Sequence, residues 1–260
     1  MTLYDWPRAA AYGRTIPKNK IYEKAGVSTA LRDLFVREVD QIIWSHKLAP
    51  ETINLPATKK VPEIQVLRIL ARTELLSEDV LRAIDRAIPL PLIFEIGYGE
   101  RVKLAAAYKR PAMTARGEVD ATHWVLSHYY ASDWQSQDAV RLPLPVSLNL
   151  AALYENLLSP LVKSQTDSFI KGVKELPPPA YGQAVEKTTK SLEERIAVAE
   201  AVKAKAREIE RIKVMLSRER QFNKRVEINA ELRATQQELA KLLAGGHGAT
   251  GRDTKEERHG

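Results

Sequence analysis

The stretch Ile88 to Arg110, IPLPLIFEIGYGERVKLAAAYKR, leaves few options, because two runs of alternating apolar residues flank one short glycine-containing turn. Leu92, Phe94, Ile96 and Tyr98 alternate on the first arm, and Val102, Leu104, Ala106 and Tyr108 on the second. Both sets must face one core, so the turn length sets the register, since a slip of one residue inverts every side chain. A two-residue loop, Gly99-Glu100, pairs Tyr98 with Arg101 and places Arg101 and Lys103 on the apolar face. A three-residue loop, Gly99 to Arg101, pairs Tyr98 with Val102 and Phe94 with Ala106, and is the register expected. Ile93, Glu95 and Gly97 then share the opposite, mixed face with Lys103, Ala105 and Ala107.

Elements on either side extend this hairpin into a sheet. Glu63 to Ala71, EIQVLRILA, reads as a strand, and Ser77 opens a helix with Glu78 and Asp79 in its first turn. Strand, helix and the first hairpin arm form a βαβ unit with parallel strands. His123 to Tyr130 supplies a further strand, and Asn149 starts a helix whose Leu150, Leu153, Tyr154, Leu157, Leu158 and Leu161 pack on the sheet. Upstream, Ser28 caps a helix expected to run to about Leu48, with Leu31, Leu34, Phe35, Val39, Ile42 and Ile43 on one face and His46 near its end. The irregular Leu142-Pro143-Leu144-Pro145 reads as a connection.

The fold class is therefore α+β: a small mixed sheet of about four strands with a βαβ unit and a β-hairpin, flanked by helices, then a long helical coiled coil or helical hairpin. The expected divisions are a basic and aromatic N-terminal arm at 1–24, the α+β domain at 25–176, a Pro-rich linker at 177–182, the helical region at 183–244 and a disordered tail at 245–260. Residues 183–244 hold neither glycine nor proline, and Leu192, Val202, Ile209 and Leu216 belong to one apolar seam, Ile228, Leu232 and Leu239 to another. The registers break between Leu216 and Ile228, where the coil ends or the chain folds back. Such a seam must dimerise, close on itself or bind another protein.

With no cysteine, disulfides and thiolate metal sites are excluded. No apolar run suggests a membrane span, and the N-terminus lacks the apolar block of a secretory signal, so a cytoplasmic protein is expected. The net charge of +7 favours polyanions, although 40 basic residues among 33 acidic ones also describe an ordinary solvated surface. Arg14, Lys18 and Lys20, interleaved with Tyr4, Trp6, Tyr12 and Tyr22, are the candidate nucleic-acid contacts; packing of those aromatics on the domain is the competing reading.

There is no phosphate-binding glycine loop, no HExxH and no GxSxG, and no cofactor is implied. The five histidines are scattered, and none is assigned to a metal. A metal-dependent nuclease would need two carboxylates and a lysine on neighbouring strands, and Glu63 and Glu95 with Lys103 are the candidate set for it. Neither Glu63 nor Glu95 is followed two residues on by a lysine, and a charge pair between Glu95 and Lys103 is the plainer explanation.

The order of several short segments resembles one bacterial family. Arg14 to Lys20 (RTIPKNK), Lys47 to Asn54 (KLAPETIN), Pro62 to Val66 (PEIQV), Tyr130 to Trp134 (YASDW) and Leu153 to Asn156 (LYEN) are together similar to the family of domain of unknown function 4391, over roughly residues 10–165. Arg220 to Glu227 (RQFNKRVE) is similar to its coiled-coil part. The resemblance implies a setting: loci that look like phage-defence or restriction-modification systems and encode DNA methyltransferases and helicase-type subunits. It carries over no catalytic residue. The expected function is a non-catalytic accessory or adaptor subunit that docks through its coiled coil to a methyltransferase or helicase of its locus, or to itself as a homodimer, with the α+β domain contacting a partner or nucleic acid. A divergent metal-dependent nuclease and a stand-alone nucleic-acid-binding protein are the alternatives.

Overall fold

A computed structural model describes residues 3–114, 116, 119–172 and 191–244; the expected linker at 177–182 and tail at 245–260 lie outside the described residues. The chain divides into two compact units, Met1–Gln165 and Thr166–Gly260.

In the first unit the elements run β1 (Leu3–Tyr4), a 3-10 turn (Arg8–Ala10), β2 (Ala11–Thr15), α1 (Lys18–Ala25), α2 (Thr29–Glu38), β3 (Val39–Leu48), α3 (Pro50–Ile53), β4 (Ile64–Ala71), α4 (Glu78–Ala87), β5 (Leu92–Tyr98), β6 (Arg101–Met113), β7 (Val119–Ala131), β8 (Gln135–Ser136), β9 (Arg141–Leu142) and the start of α5 (Leu150–Gly172). The main sheet has seven strands, in the order β2-β3-β4-β5-β6-β7 with β8 also pairing β6. It is mixed: β4 and β5 are parallel around α4, as a βαβ unit requires, and the other pairs are antiparallel. Three strands go beyond the four expected: β2 lies in the expected arm, β3 in the expected long helix, and β8 is a two-residue strand after β7.

That helix stops at Glu38. Ser28 does cap it, accepting from the Leu31 N–H at 3.4 Å, but Val39 turns extended and the chain continues as a ten-residue strand. Lys18 Nζ donates to the carbonyls of Phe35 and Val39 and so satisfies the C-terminal end of α2. Two register shifts in the β3/β4 ladder, between Val39 and Gln41 and between Trp44 and His46, break the two-residue period and let β3 pass for a helix. His46 is consequently a sheet residue opposite Val66.

The hairpin register also differs from the expectation. Tyr98 pairs with Arg101 and Phe94 with Ala105, so the loop is the two-residue Gly99-Glu100, with Gly99 at φ 56°. Ile96 is thus opposite Lys103, and Glu95 opposite Leu104. The premise of a single core face fails, because β5 is buried on both sides. Leu92, Phe94 and Ile96 meet Ile42, Leu67, Ile69, Ile84 and Phe35 under α2 and α4. Ile93, Glu95, Val102, Leu104 and Ala106 face the other way and are buried as well. Arg101 and Lys103 do share the face of Phe94 and Ile96; they lie over the Trp134 ring at 5.5 and 4.5 Å, which accommodates a cation at the margin of a core. Each fully buried Leu, Ile or Phe contributes about 1.5–3 kcal/mol, so a strand apolar on both faces anchors the sheet.

In α5, Leu150, Leu153, Tyr154, Leu157, Leu158 and Leu161 are buried, as their spacing predicts. Tyr154 also repairs a break in the β6/β7 ladder, where pairing shifts between Ala107–Tyr129 and Lys109–Leu126. Its hydroxyl accepts from the Lys109 N–H at 3.0 Å and donates to the Ala107 carbonyl at 2.8 Å, and Ser127 Oγ accepts from the Tyr108 N–H at 2.9 Å.

The second unit contains α6 (Leu192–Arg218) and α7 (Phe222–Ala244), joined by three residues and packed on one another through Val202, Ala206, Ile209, Ile212, Leu232 and Leu239. This is the helical hairpin of the two forms expected.

Candidate functional site

Glu95 lies mid-sheet on β5, level with Arg68 on β4, and is 2% exposed. A carboxylate in an apolar interior is tolerated only when paired and hydrogen-bonded. Here Oε1 accepts from Arg68 Nε at 3.1 Å, Arg68 Nη2 at 2.6 Å and Arg141 Nη2 at 3.2 Å, while Oε2 accepts from Trp6 Nε1 at 2.9 Å and Arg141 Nη1 at 3.0 Å. Burial pushes the pKa up, but the hydrogen bonds from Arg141, Trp6 and Arg68 outweigh it and hold the group at about 2. Glu95 is thus a fixed anion, saturated by its donors, and not a general base poised near neutrality. His46, with its ring 6.2 Å from that of Trp6, has its pKa lowered, first by burial and against the pull of Glu95.

This anion holds a surface in place. Arg141 Nη1 also donates to the Tyr4 carbonyl at 3.0 Å, and β1 and β9 run parallel with Leu3 opposite Arg141 and Tyr4 opposite Leu142. The Asp5 N–H closes this ladder on the Leu142 carbonyl at 2.7 Å. Side chains alternate along an extended strand, so directing Arg141 inward to Glu95 directs Val140 and Leu142 outward. The sequence continues that parity: every second residue from Val140 to Leu148 is aliphatic. Val140 is 83% exposed, Leu142 49%, Val146 99% and Leu148 87%. Leu144, Pro145, Val146 and Ser147 line a groove of about 390 Å³ together with Pro7, Ile53, Leu55 and Leu153. Pro143 and Pro145 lack the N–H that a longer ladder would use, so pairing stops at Leu142 and residues 143–147 form no regular element. Its chemistry is that of a protein-binding surface: aliphatic, elongated and exposed, beside an apolar groove.

The candidate nuclease residues do not converge. Glu63 precedes β4 and pairs with Lys47 at 3.1 Å. Arg68, the residue level with Glu95, is five positions further along, roughly 16 Å at the rise of a strand. Lys103 is on the opposite face of the sheet from Glu95, with its pKa lowered first by burial. Among the described residues no group of three or more His, Cys, Asp or Glu side chains could hold a metal ion.

Of the candidate nucleic-acid contacts, Lys18 is occupied at the end of α2. Arg14, on the edge strand β2, stacks over Tyr12 at 4.9 Å, and Tyr12 packs on Trp44 at 4.9 Å; Lys20 is exposed on α1. The candidate partner-binding residues Val202, Ile209, Leu232 and Leu239 are buried between α6 and α7, with Leu216 and Ile228 packed beside them, and Leu192 is also buried. What the sequence reading missed are Arg68, Arg141 and Trp6 around Glu95, and the strip that starts at Val140. A glutamate inside an apolar strand required cations somewhere, but nothing local pointed 46 residues ahead to Arg141. The alternating aliphatic residues of the strip were visible, and the prolines between them disguised the pattern.

The family described as Domain of unknown function (DUF4391) matches residues 4–239. No curated protein and no solved structure matches the chain.

Proposed function

We propose that this chain, which belongs to the DUF4391 family, is a binding subunit of a DNA-modification or phage-defence assembly and docks a protein partner along the Val140–Leu148 strip. The observation that carries this reading is the strip itself. Burying one exposed aliphatic side chain contributes about 1.5–3 kcal/mol, and leaving several side by side in water is the mark of a surface completed by a partner. The two prolines and the Arg141–Glu95 bond preorganise the segment, which lowers the ordering cost of association. The resemblance noted above supplies the partner class: a DNA methyltransferase or helicase-type subunit encoded beside it. The reading moves docking away from the helical seam, because α6 and α7 already cover that seam between them.

The test is co-expression of the full chain with those neighbouring subunits, followed by affinity capture and light scattering. A stoichiometric complex is expected with the wild type, and its loss with Val146→Asp/Leu148→Asp, whose side chains are exposed and whose substitution leaves the melting of the free subunit unchanged. A complex that survives the double substitution, or no complex with either subunit, overturns the reading.

A further inference from the structure

The helical hairpin carries its charge unevenly. Residues 191–210 contain five acidic and four basic side chains, and residues 227–244 three acidic and two basic, so both long segments are close to neutral. Residues 211–226, around the turn, hold Arg211, Lys213, Arg218, Arg220, Lys224 and Arg225 against Glu219 alone. Lys213 pairs with Glu210 at 3.4 Å, whereas the five other cations of the tip form no ion pair with any described side chain. Glu219 is engaged locally, its carboxylate accepting from the N–H groups of Arg220 and Gln221 at 2.8 Å each. Every residue from 220 to 227 is exposed, including Phe222 at 78% and Val226 at 54%, which lie one helical turn apart on one side of α7. α6 is 27 residues long, about 40 Å, so the tip presents these groups at the end of a rod, away from both chain ends of the hairpin.

We propose that the hairpin tip binds the phosphate backbone of duplex DNA, with Arg211, Arg218, Arg220, Lys224 and Arg225 on phosphates and Phe222 as an apolar wedge against the groove. Cations on two packed helices, whose axes are about 8–10 Å apart, can meet phosphates on both sides of a groove, and guanidinium groups suit phosphate geometry. A duplex fits better than a single strand, because single-strand binding relies on successive aromatic platforms and the tip has one aromatic residue. It also fits better than a bilayer surface, since an interfacial helix carries an apolar face along its length, and the exposed large apolar residues of α6 and α7 are Val214, Met215, Phe222 and Val226, all confined to the tip. An exposed phenylalanine flanked by arginines is the composition that proteins insert at base steps.

The test is fluorescence anisotropy of the full chain on a labelled random-sequence DNA duplex between about 50 and 200 mM salt. The wild type is expected to lose affinity with a log–log slope of about −4 to −5, as five phosphate contacts require. Arg218→Gln/Arg220→Gln/Lys224→Gln/Arg225→Gln, with helicity verified by circular dichroism, is expected to bind at least about tenfold more weakly and to reduce the slope by about four. Phe222→Ala should weaken binding at unchanged slope, and wild-type affinity for it overturns the wedge. Arg8→Gln/Lys24→Gln/Lys59→Gln/Lys60→Gln removes the same charge from the other unit and is expected to bind as the wild type. Equal losses in the two fourfold variants, no duplex binding by the wild type, or a tip variant that loses only its binding to phosphatidylserine vesicles each overturn the proposal.

Discussion

Arg141 grips Glu95 across 46 residues of sequence, with Nη1 3.0 Å from Oε2 and Nη2 3.2 Å from Oε1. The bond joins a strand of the main sheet to the segment that carries the aliphatic strip. One buried carboxylate thereby fixes Arg141 inward and leaves its neighbours Val140 and Leu142 exposed.

Glu95 titrates near 2 in the fold, against an ordinary value of 4.5. A depressed carboxylate adds stability that is complete above its unfolded pKa and is lost as the pH falls towards the folded one. The shift corresponds to about 3 kcal/mol, drawn down between roughly pH 5 and pH 2. Glu95→Gln should therefore lower the urea midpoint at pH 7 by the equivalent of about 3 kcal/mol, and the difference from wild type should shrink steadily towards pH 3. Tryptophan fluorescence isolates the first unit, because all four tryptophans lie within it. A difference that is equal at pH 7 and pH 3 means that packing, and not the charge of Glu95, accounts for the loss.

Much of the sheet was legible where one signal dominated. Ser28 and Ser77 cap the helices their positions announce, the β4-α4-β5 unit is parallel, and the break between Leu216 and Ile228 is where the chain turns back. The errors share one physical cause: periodicity reports a face only when the other face is wet. Val39, Ile42 and Ile43 matched a helical stripe because two register shifts interrupted the alternation of β3. The hairpin arms were registered as though one side were core, yet Glu95 and Ile93 are as buried as Phe94. The partners of Glu95 were illegible for another reason, since an ion pair between a strand and a distant segment leaves no spacing to read.

Gly99 gives a direct check of the two-residue loop. It sits at φ 56°, and a Cβ added there meets nothing within 4 Å, so replacement acts through backbone conformation alone. Gly99→Ala should cost about 1 kcal/mol of unfolding free energy, measured by urea titration, while the fold is retained. A neutral or stabilising effect would show that position 99 does not need the left-handed region and would reopen the three-residue register.

The second buried charge, Lys109, is 1% exposed and donates from Nζ to the Asp85 side chain at 3.3 Å and to the Asp85 and Ile88 carbonyls, so a strand lysine caps the C-terminal end of α4. Asp85 accepts in addition from the Tyr129 hydroxyl, and burial, its largest influence, raises its pKa against the pull of Lys109. Lys109→Met leaves this carboxylate enclosed without its paired cation, with only the weaker pull of Arg82, a change that costs about 3–5 kcal/mol in comparable sites. Asp85→Asn/Lys109→Met removes the stranded charge while the helix end still lacks its donor, so it should recover part of that loss and not all of it. The pH dependence separates the two effects. An acid whose folded pKa lies above its unfolded one favours the folded state at low pH and loses that contribution as the pH rises through the folded value. The single variant should therefore approach the double variant in urea midpoint as the pH is lowered towards 4, and fall behind it towards pH 8. Parallel midpoints over that range would show that the lysine acts only as a cap on α4, with no electrostatic debt to Asp85.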